Sequence, residues 1–484
     1  MSVQVFTGFR PDLDPTTAGV ITECDDLLPT VKGFKAMPSS AATLLPALAA
    51  ACVGSVVVVK LDGTSRFFAG SATKLYEAGS TSWTDRSRAG NYSGGDVVWR
   101  FVQFGNDTIA TNKADTLQSS SSAAFADITG APKASVMDAA AGFVMLGATN
   151  EATYGDQADR WWCSSYQDAT SGTAWTPSVT TQCTTGRLID APGPILAMKA
   201  LGSGFVAYKA KSLFLATYVG APSVFNWIQI PGEIGCSSQE AVVNIGTAHL
   251  FVGYENIYEF DGSRPVPIGN DIKEWFFGNL NKKYRHLIKG MHEKSASRVW
   301  FFYPSGTSTT IDRAIVYNYV KGTWAKISLA IEVAVEYLSG AITWDDLGTY
   351  YNTFNDLPNI AFDSEFWTQT TLLPAIFDAA HTLQTLTGVS AGCSITCGDL
   401  GDDTQLSLLS RSRPRYIQSP TSGTVTNYYR DNLGDTLTMD ATTTITSGKA
   451  DMLRTARWHR LKYDFVGDVE IVGDVVSLLP DGFA

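Results

Sequence analysis

Short apolar runs recur through the first two thirds of the chain, at residues 56–59, 108–111, 143–147, 205–209, 250–254 and 299–303. Their starts are about 35 to 60 residues apart, the length of a four-stranded propeller blade. Several runs are followed by a second short aromatic strand that leads to a turn and a tryptophan: residues 74–77 before Trp83, 212–215 before Trp227, and 314–319 before Trp324. Residues 256–260 hold the same place, with Asp261 and Gly262 as a hairpin turn. One such strand pair leaves a sheet face wet, so the pattern predicts units stacked around a ring. The expected fold is therefore all-β: a six-bladed β-propeller, its last blade completed by residues after Ala330 or by N-terminal strands.

Helical periodicity is sparse. An apolar period near 3.6 predicts one helix over residues 270–287, and residues 372–387 predict a second short one. The stretch 41–59 is apolar and long enough to span a bilayer, but Pro46, Gly54 and Ser55 interrupt it and 56–59 is β-branched. It reads as a buried turn entering a core strand, with no membrane span. Beyond Phe366 the pattern changes to short alternating strands at 394–397, 424–429, 436–439, 443–446 and 457–465. That shift predicts a propeller over residues 1–365, with the N-terminal segment helping to close the ring, and a C-terminal antiparallel β-domain over 366–484.

Composition reinforces strands and tight turns: 43 Gly, 24 Phe, 19 Tyr and 12 Trp. A net charge of -11, spread along the chain, argues against a broad face that grips nucleic acid, though not against a channel past which DNA slides. The seven cysteines are odd in number and irregularly spaced, which fits free thiols made in a reducing cytoplasm better than a secreted disulfide framework. Residues 1–10 lack a basic head followed by an apolar run, so secretory export is not expected.

Candidate chemistry is thin. His249, His286, His292, His381 and His459 have no partners at zinc-motif spacing, and no Walker loop, nucleophile elbow or kinase set is present. Cys393 and Cys397 read as half-buried thiols rather than a metal or redox pair, because no second ligand pair accompanies them. The adjacent carboxylates Asp25–Asp26, Asp345–Asp346 and Asp402–Asp403 point to opposite faces of a strand and read as turn residues. Asp168 with Gly172 and Trp175 faintly resembles the turns of sialidase-like propellers, so a glycan-active enzyme or lectin is the alternative function. Two basic groups are candidate DNA or interface contacts: Lys282, Lys283, Arg285, His286 and Lys289 at the end of the first helix, and Arg411, Arg413 and Arg415.

A family resemblance lies in the order of weak structural motifs. They begin with Phe-Thr-Gly-Phe-Arg-Pro at 6–11, Asp-Pro at 14–15 and Ala-Gly at 18–19, then Phe-Phe-Ala-Gly at 67–70, Lys-Leu-Tyr at 74–76, Trp-Thr-Asp at 83–85 and Ser-Arg at 87–88. The series continues with Trp-Arg-Phe at 99–101, Gln-Phe-Gly at 103–105, Ile-Ala-Thr-Asn at 109–112, Gly-Ala-Pro-Lys at 130–133, Phe-Val-Gly at 251–253, Tyr-Glu-Phe-Asp-Gly at 258–262 and Ile-Val-Tyr-Asn-Tyr at 315–319 with Trp324. Over residues 1 to 330 the chain resembles the tail nozzle or tail tubular proteins of short-tailed bacteriophages, also described as packaged-DNA stabilisation or tail hub proteins. The resemblance implies a non-enzymatic virion protein with no cofactor, synthesised in the host cytoplasm. It implies six copies in a ring beneath the portal-side adaptor, neighbouring tail fibres or spikes, and a passing genome.

Overall fold

The second strands of the blades are the most apolar segments of the chain, and their burial explains why. Phe143–Glu151, Gly204–Tyr208, His249–Val252 and Arg298–Tyr303 are buried along most or all of their length. A blade is covered on both faces by its neighbours, so its central strands read as continuous apolar runs instead of alternating ones. In the computed structural model, which describes residues 2–338, 353 and 372–483, these strands belong to four-stranded antiparallel sheets.

Among the described residues there are seven such sheets, one more than the sequence pattern predicts. Their inner strands are Gly54–Val59, Arg100–Phe104, Lys133–Ala140, Ala197–Leu201, Val242–Asn244, Lys289–Glu293 and Val333–Leu338. Each inner strand touches the next, and the seventh touches the first, so the sheets form a closed propeller. The closing blade is the seventh, drawn as the sequence suggests from residues after Ala330 and from an N-terminal strand. Its second and third strands, Leu372–Phe377 and Leu383–Gly388, occupy the segment expected to be a helix. Pairing of Leu372–Phe377 with Val333–Leu338 overrides the Leu and Ala content, and the Asp378 carboxylate accepts the amides of Ala380 (2.9 Å) and Thr382 (3.0 Å) to form the hairpin turn. The fourth strand of this blade is N-terminal: Ser39–Ala42 pairs with Leu383–Gly388.

The division of the chain also differs from a boundary at 366. The propeller runs on through Gly388, and the residues before Ser39 leave it for a second body. There, two six-stranded sheets face each other. One is built from Leu27–Pro29, Phe34–Ala36, Glu470–Phe483, Gln405–Gln418 and Ala450–Ala456, with Ser2–Val5 beside Glu470–Phe483. The other contains Gly8–Phe9, Val20–Asp25, Cys393–Gly401, Trp458–Val466, Ser422–Arg430 and Thr438–Thr444. Leu409, Ile471 and Val476 from the first sheet bury against Ile395, Val425, Leu461 and Phe465 of the second. The propeller is thus inserted into a sandwich made from both termini.

The sandwich docks on the outer strand of blade 6, Thr323–Ser328. Trp324, 1% exposed, packs tilted against Tyr317 with ring centroids 4.4 Å apart, in a core shared with Phe9 and Phe34. Asp25 pairs with Lys326 at 2.7 Å and Asp26 accepts the Ser328 amide at 2.8 Å, so the first adjacent carboxylate pair is a docking element. The expected helix over 270–287 is shorter: α1 (Lys273–Asn279) ends where Leu280 turns extended, and Asn281 then caps a separate 3-10 turn, Lys282–Leu287. The Asp12 carboxylate accepts the Glu274 and Trp275 amides (2.6 and 2.9 Å), fastening α1 to the sandwich. The stretch 41–59 supplies part of Ser39–Ala42 and the inner strand Gly54–Val59, and no helix among the described residues is long and apolar enough to cross a membrane.

Two buried carboxylates of the sandwich are treated oppositely. Asp399 faces the guanidinium groups of Arg430 and Arg460. Asp474, 1% exposed, has no ion-pair partner among the described residues: it accepts from Ser412 at 2.9 Å and the Tyr463 phenol and is reached by the Val475 and Arg413 backbone amides, with Cys397 and Tyr416 nearby. Burial raises its pKa above the ordinary 3.8, against the pull of those hydrogen bonds. A carboxyl raised on folding stabilises the fold while protonated and loses that contribution as pH climbs through the raised value. Asp474→Asn, which stays neutral, should therefore gain in melting temperature relative to the native chain as pH rises from about 4 to 8. A difference that stays flat across that range contradicts this role for Asp474.

Candidate functional site

The links that enter each inner strand converge at one end of the propeller axis. They surround a funnel of about 680 Å³ with apolar walls that include Val53, Val98, Val136, Ile195, Leu196 and Ile311. Its floor is polar. Residues 236–241, just ahead of blade 5, extend into the middle of the ring, where Gln239 is buried. The Gln239 side chain accepts the Met198 amide at 2.7 Å and donates to the carbonyls of Met198 (2.9 Å) and Met137 (3.2 Å), standing in for a strand between blades 3 and 4.

Glu240 spans the ring in the other direction. Its carboxylate receives Arg100 of blade 2 through two bonds, Nε at 2.6 Å and Nη2 at 3.0 Å, while Arg100 Nη1 donates to Ser135 of blade 3 at 2.6 Å. The Glu240 carbonyl accepts the Gly290 amide of blade 6 at 2.7 Å. Burial raises the Glu240 pKa, but the charge and hydrogen bonds of Arg100 outweigh it and hold the carboxyl below its usual value. On the far wall Glu332 accepts the Cys52 amide (2.8 Å) and pairs with His381 Nδ1 (2.7 Å), and its carbonyl receives Lys289 Nζ (2.7 Å). Blades 5, 2, 3, 4 and 6 are joined through Gln239 and Glu240, and blades 6, 7 and 1 through Glu332.

These residues form a strut across the channel. Their charges and hydrogen bonds are spent on one another and on the backbone, an arrangement that braces the ring. Sequence reasoning missed Gln239, Glu240 and Glu332 because they lie in inter-blade links, where no period marks them. The nearest signal was two acceptors, Gln239 and Glu240, just before the inner strand of blade 5.

The basic candidates have different fates. Lys282 and Lys283 are exposed near the funnel rim, on the 3-10 turn rather than at an α-helix C-terminus. Arg285 lies over the Tyr254 ring at 4.5 Å, and His286 lines the funnel. Lys289 turns inward to Glu332, and burial pulls its pKa down, so it is a bracing residue and not a surface contact. Arg411, Arg413 and Arg415 share the outer face of Gln405–Gln418 on the sandwich; Arg411 pairs with Asp451, while Arg413 and Arg415 are exposed. The two groups therefore lie on separate bodies.

The remaining candidates resolve into structural roles. Asp168 accepts the amides of Thr170 (3.1 Å) and Ser171 (3.0 Å) in a turn. Asp402 caps Thr404 at 2.7 Å, Asp403 accepts Trp458 Nε1 at 3.0 Å, and Asp345–Asp346 lie outside the described residues. His249 is buried between Tyr208 (2.8 Å) and the Ala200 carbonyl (2.8 Å), and burial lowers its pKa to about 4. Cys393 and Cys397 are fully buried rather than half-buried; burial pushes the Cys393 thiol up to about 12 and raises Cys397 as well, the opposite of an activated thiolate. No cluster of three metal-ligating side chains occurs among the described residues.

If Glu240 is the strut, Glu240→Ala should cost about 2–3 kcal/mol in chemical denaturation by leaving Arg100 uncompensated, and Arg100→Leu with Glu240→Leu should recover most of that loss. A Glu240→Ala cost under roughly 0.5 kcal/mol contradicts the bracing role.

No family model matches the chain, and no curated protein matches it. Among solved structures it is similar to YCF48 bound to D1 peptide, at 11% identity and TM-score 0.36 over 73% of this chain and 98% of that one. It is also similar to the β-propeller domain of Cps50 (Swd1) from Myceliophteria thermophila, at 7% identity and TM-score 0.40 over 72% and 98%, and to the N-terminal domain of Nup159, at 9% and 0.38 over 75% and 98%. The propeller assignment rests on the strand pairing of this chain itself.

Proposed function

We propose that this chain is a structural tail protein of a short-tailed bacteriophage, one of six copies in a nozzle or hub ring that retains packaged DNA and gives it a path outward. The observation that carries the reading is the ordered motif series over residues 1 to 330. Three physical features support it. Both termini are woven into one sandwich around an inserted propeller, which suits a subunit loaded by internal pressure. The channel of each propeller is crossed by the Arg100–Glu240 pair, so a DNA path lies between copies, not through one. A net charge of -11 gives the assembled wall weak repulsion of phosphate.

Lateral contacts between copies, and contacts with the adaptor ring and with fibres or spikes, then fall on exposed strand positions of the sandwich. Val3, Val5, Ile417, Leu453 and Leu479 are each more than 45% exposed there, interspersed with Arg413 and Arg415. Virion proteomics and electron microscopy test the reading together. The chain should be found in purified particles as a six-fold ring at the tail. Its absence from virions, with the chain monomeric in the presence of the adaptor, sinks it.

A further inference from the structure

At the end of the propeller opposite the funnel, blades 3 and 4 form a corner with features the bracing role does not use. The third and fourth strands of blade 3, Gly155–Cys163 and Thr184–Arg187, are joined by a loop of about twenty residues, far longer than an ordinary hairpin connection. The loop is packed on its own core. Trp175 is 3% exposed among Ala169 and Ala174 and donates Nε1 to the Ala169 carbonyl at 2.9 Å. Backbone bonds from Ser165 to Ala174 (2.7 Å), Tyr166 to Thr181 (2.9 Å) and Gln167 to Gly142 (2.7 Å) fix its shape.

This loop presents Tyr166, 46% exposed, and blade 4 presents Tyr218, 43% exposed. Both rings rest on the buried Phe143, at 5.3 and 5.6 Å between centroids. Glycine at 142 is required for this seat, since a Cβ there would come within 2.8 Å of the Tyr166 ring. The backbone beneath is held at positive φ at four non-glycine residues, Ala141, Gln167, Gln182 and Val224 (53°, 56°, 60° and 59°). Each costs of order 1–3 kcal/mol, and such conformations gather where a surface is shaped for a task.

The polar groups at this corner are neutral. Tyr218 donates to Gln182 Oε1 at 2.6 Å, leaving the Gln182 amide nitrogen with no protein partner among the described residues, and Gln167 Nε2 donates to the Tyr166 oxygen at 3.4 Å. Thr181 Oγ1 is buried and also unpartnered. Across residues 141–143, 164–184 and 217–225 the one charged side chain is Asp168, and backbone amides occupy it. A ligand carrying phosphate, sulfate or ammonium finds no counter-charge here.

Two half-exposed aromatic rings on a rigid floor, ringed by amides and hydroxyls and free of available charge, match the chemistry of an uncharged sugar ring. Its C–H face stacks on the π faces, and its hydroxyls exchange hydrogen bonds with side-chain amides. A nucleic acid strand would stack as well, but it needs cations for its phosphates. We propose that the Tyr166–Tyr218 corner is a binding site for neutral glycan. The proposal does not rest on the tail reading.

The probes are an array of neutral and sialylated oligosaccharides and native gels cast with dextran, glycogen or galactomannan, with dextran sulfate and single-stranded DNA as charged comparators. At least one neutral glycan should retain the full chain. Tyr166→Ala and Tyr218→Ala should each weaken that retention by at least about tenfold, while Tyr166→Phe and Asp168→Asn keep it. Circular dichroism of each variant should match the native chain; where Tyr166→Ala unfolds, Tyr218→Ala and Tyr166→Phe carry the comparison. The proposal is overturned if no neutral glycan is retained, if the folded alanine variants bind as well as the native chain, or if the variants abolish binding of a charged comparator instead.

Discussion

The structure depends on one closure, the pairing of Ser39–Ala42 with Leu383–Gly388. Thr43 adds a side-chain bond to the Leu383 carbonyl (3.0 Å) and Leu48 a backbone bond to His381 (3.0 Å). Bringing together segments about 340 residues apart costs of order 5 kcal/mol in chain entropy. That cost is met once for two bodies, because the same closure brings residues 2–36 beside 393–483 and allows the sandwich to form. Ring and sandwich are therefore coupled: opening blade 7 frees the N-terminal strands, and unravelling the sandwich leaves the closing strand tethered on one side only.

Within the ring, neighbouring blades are held by side-chain packing and by hydrogen bonds such as Phe125 N–H to the Arg86 carbonyl (2.7 Å) and Asn244 to the Ala200 carbonyl (2.7 Å), and the axis is where packing runs out. Gln239, Glu240 and Glu332 fill that gap with hydrogen bonds and ion pairs whose partners lie on other blades. The result is a polarised body. One end has a braced, charged floor with Lys282 and Lys283 near its rim; the other carries an uncharged aromatic corner on blades 3 and 4.

Much of this was legible in sequence, and the misses have specific causes. Five of the six apolar runs are second strands of blades 2 to 6, visible because double-sided burial removes alternation; the run at 56–59 is the inner strand of blade 1. Leu372–Phe377 was hidden because an isolated Leu-Leu-Pro-Ala-Ile-Phe segment has no local feature that separates a buried strand from a helix, and pairing with Val333–Leu338 decides it. The domain boundary was misplaced because a discontinuous domain leaves no compositional step at its second entry. The strut and the tyrosine corner were invisible for a related reason: Arg100 and Glu240 are 140 residues apart, and Tyr166 and Tyr218 come to share Phe143 only when blade 3 packs on blade 4.

Hydrogen exchange of the intact chain tests the central claim most directly, read at the amides of residues 39–42 and 384–388. If this pairing closes the ring and secures the sandwich, those amides are protected as strongly as the inner strand Gly54–Val59 and exchange in the same cooperative opening as Glu470–Phe483. Exchange at 39–42 as fast as in the exposed turns, with the propeller and sandwich still protected, contradicts the account.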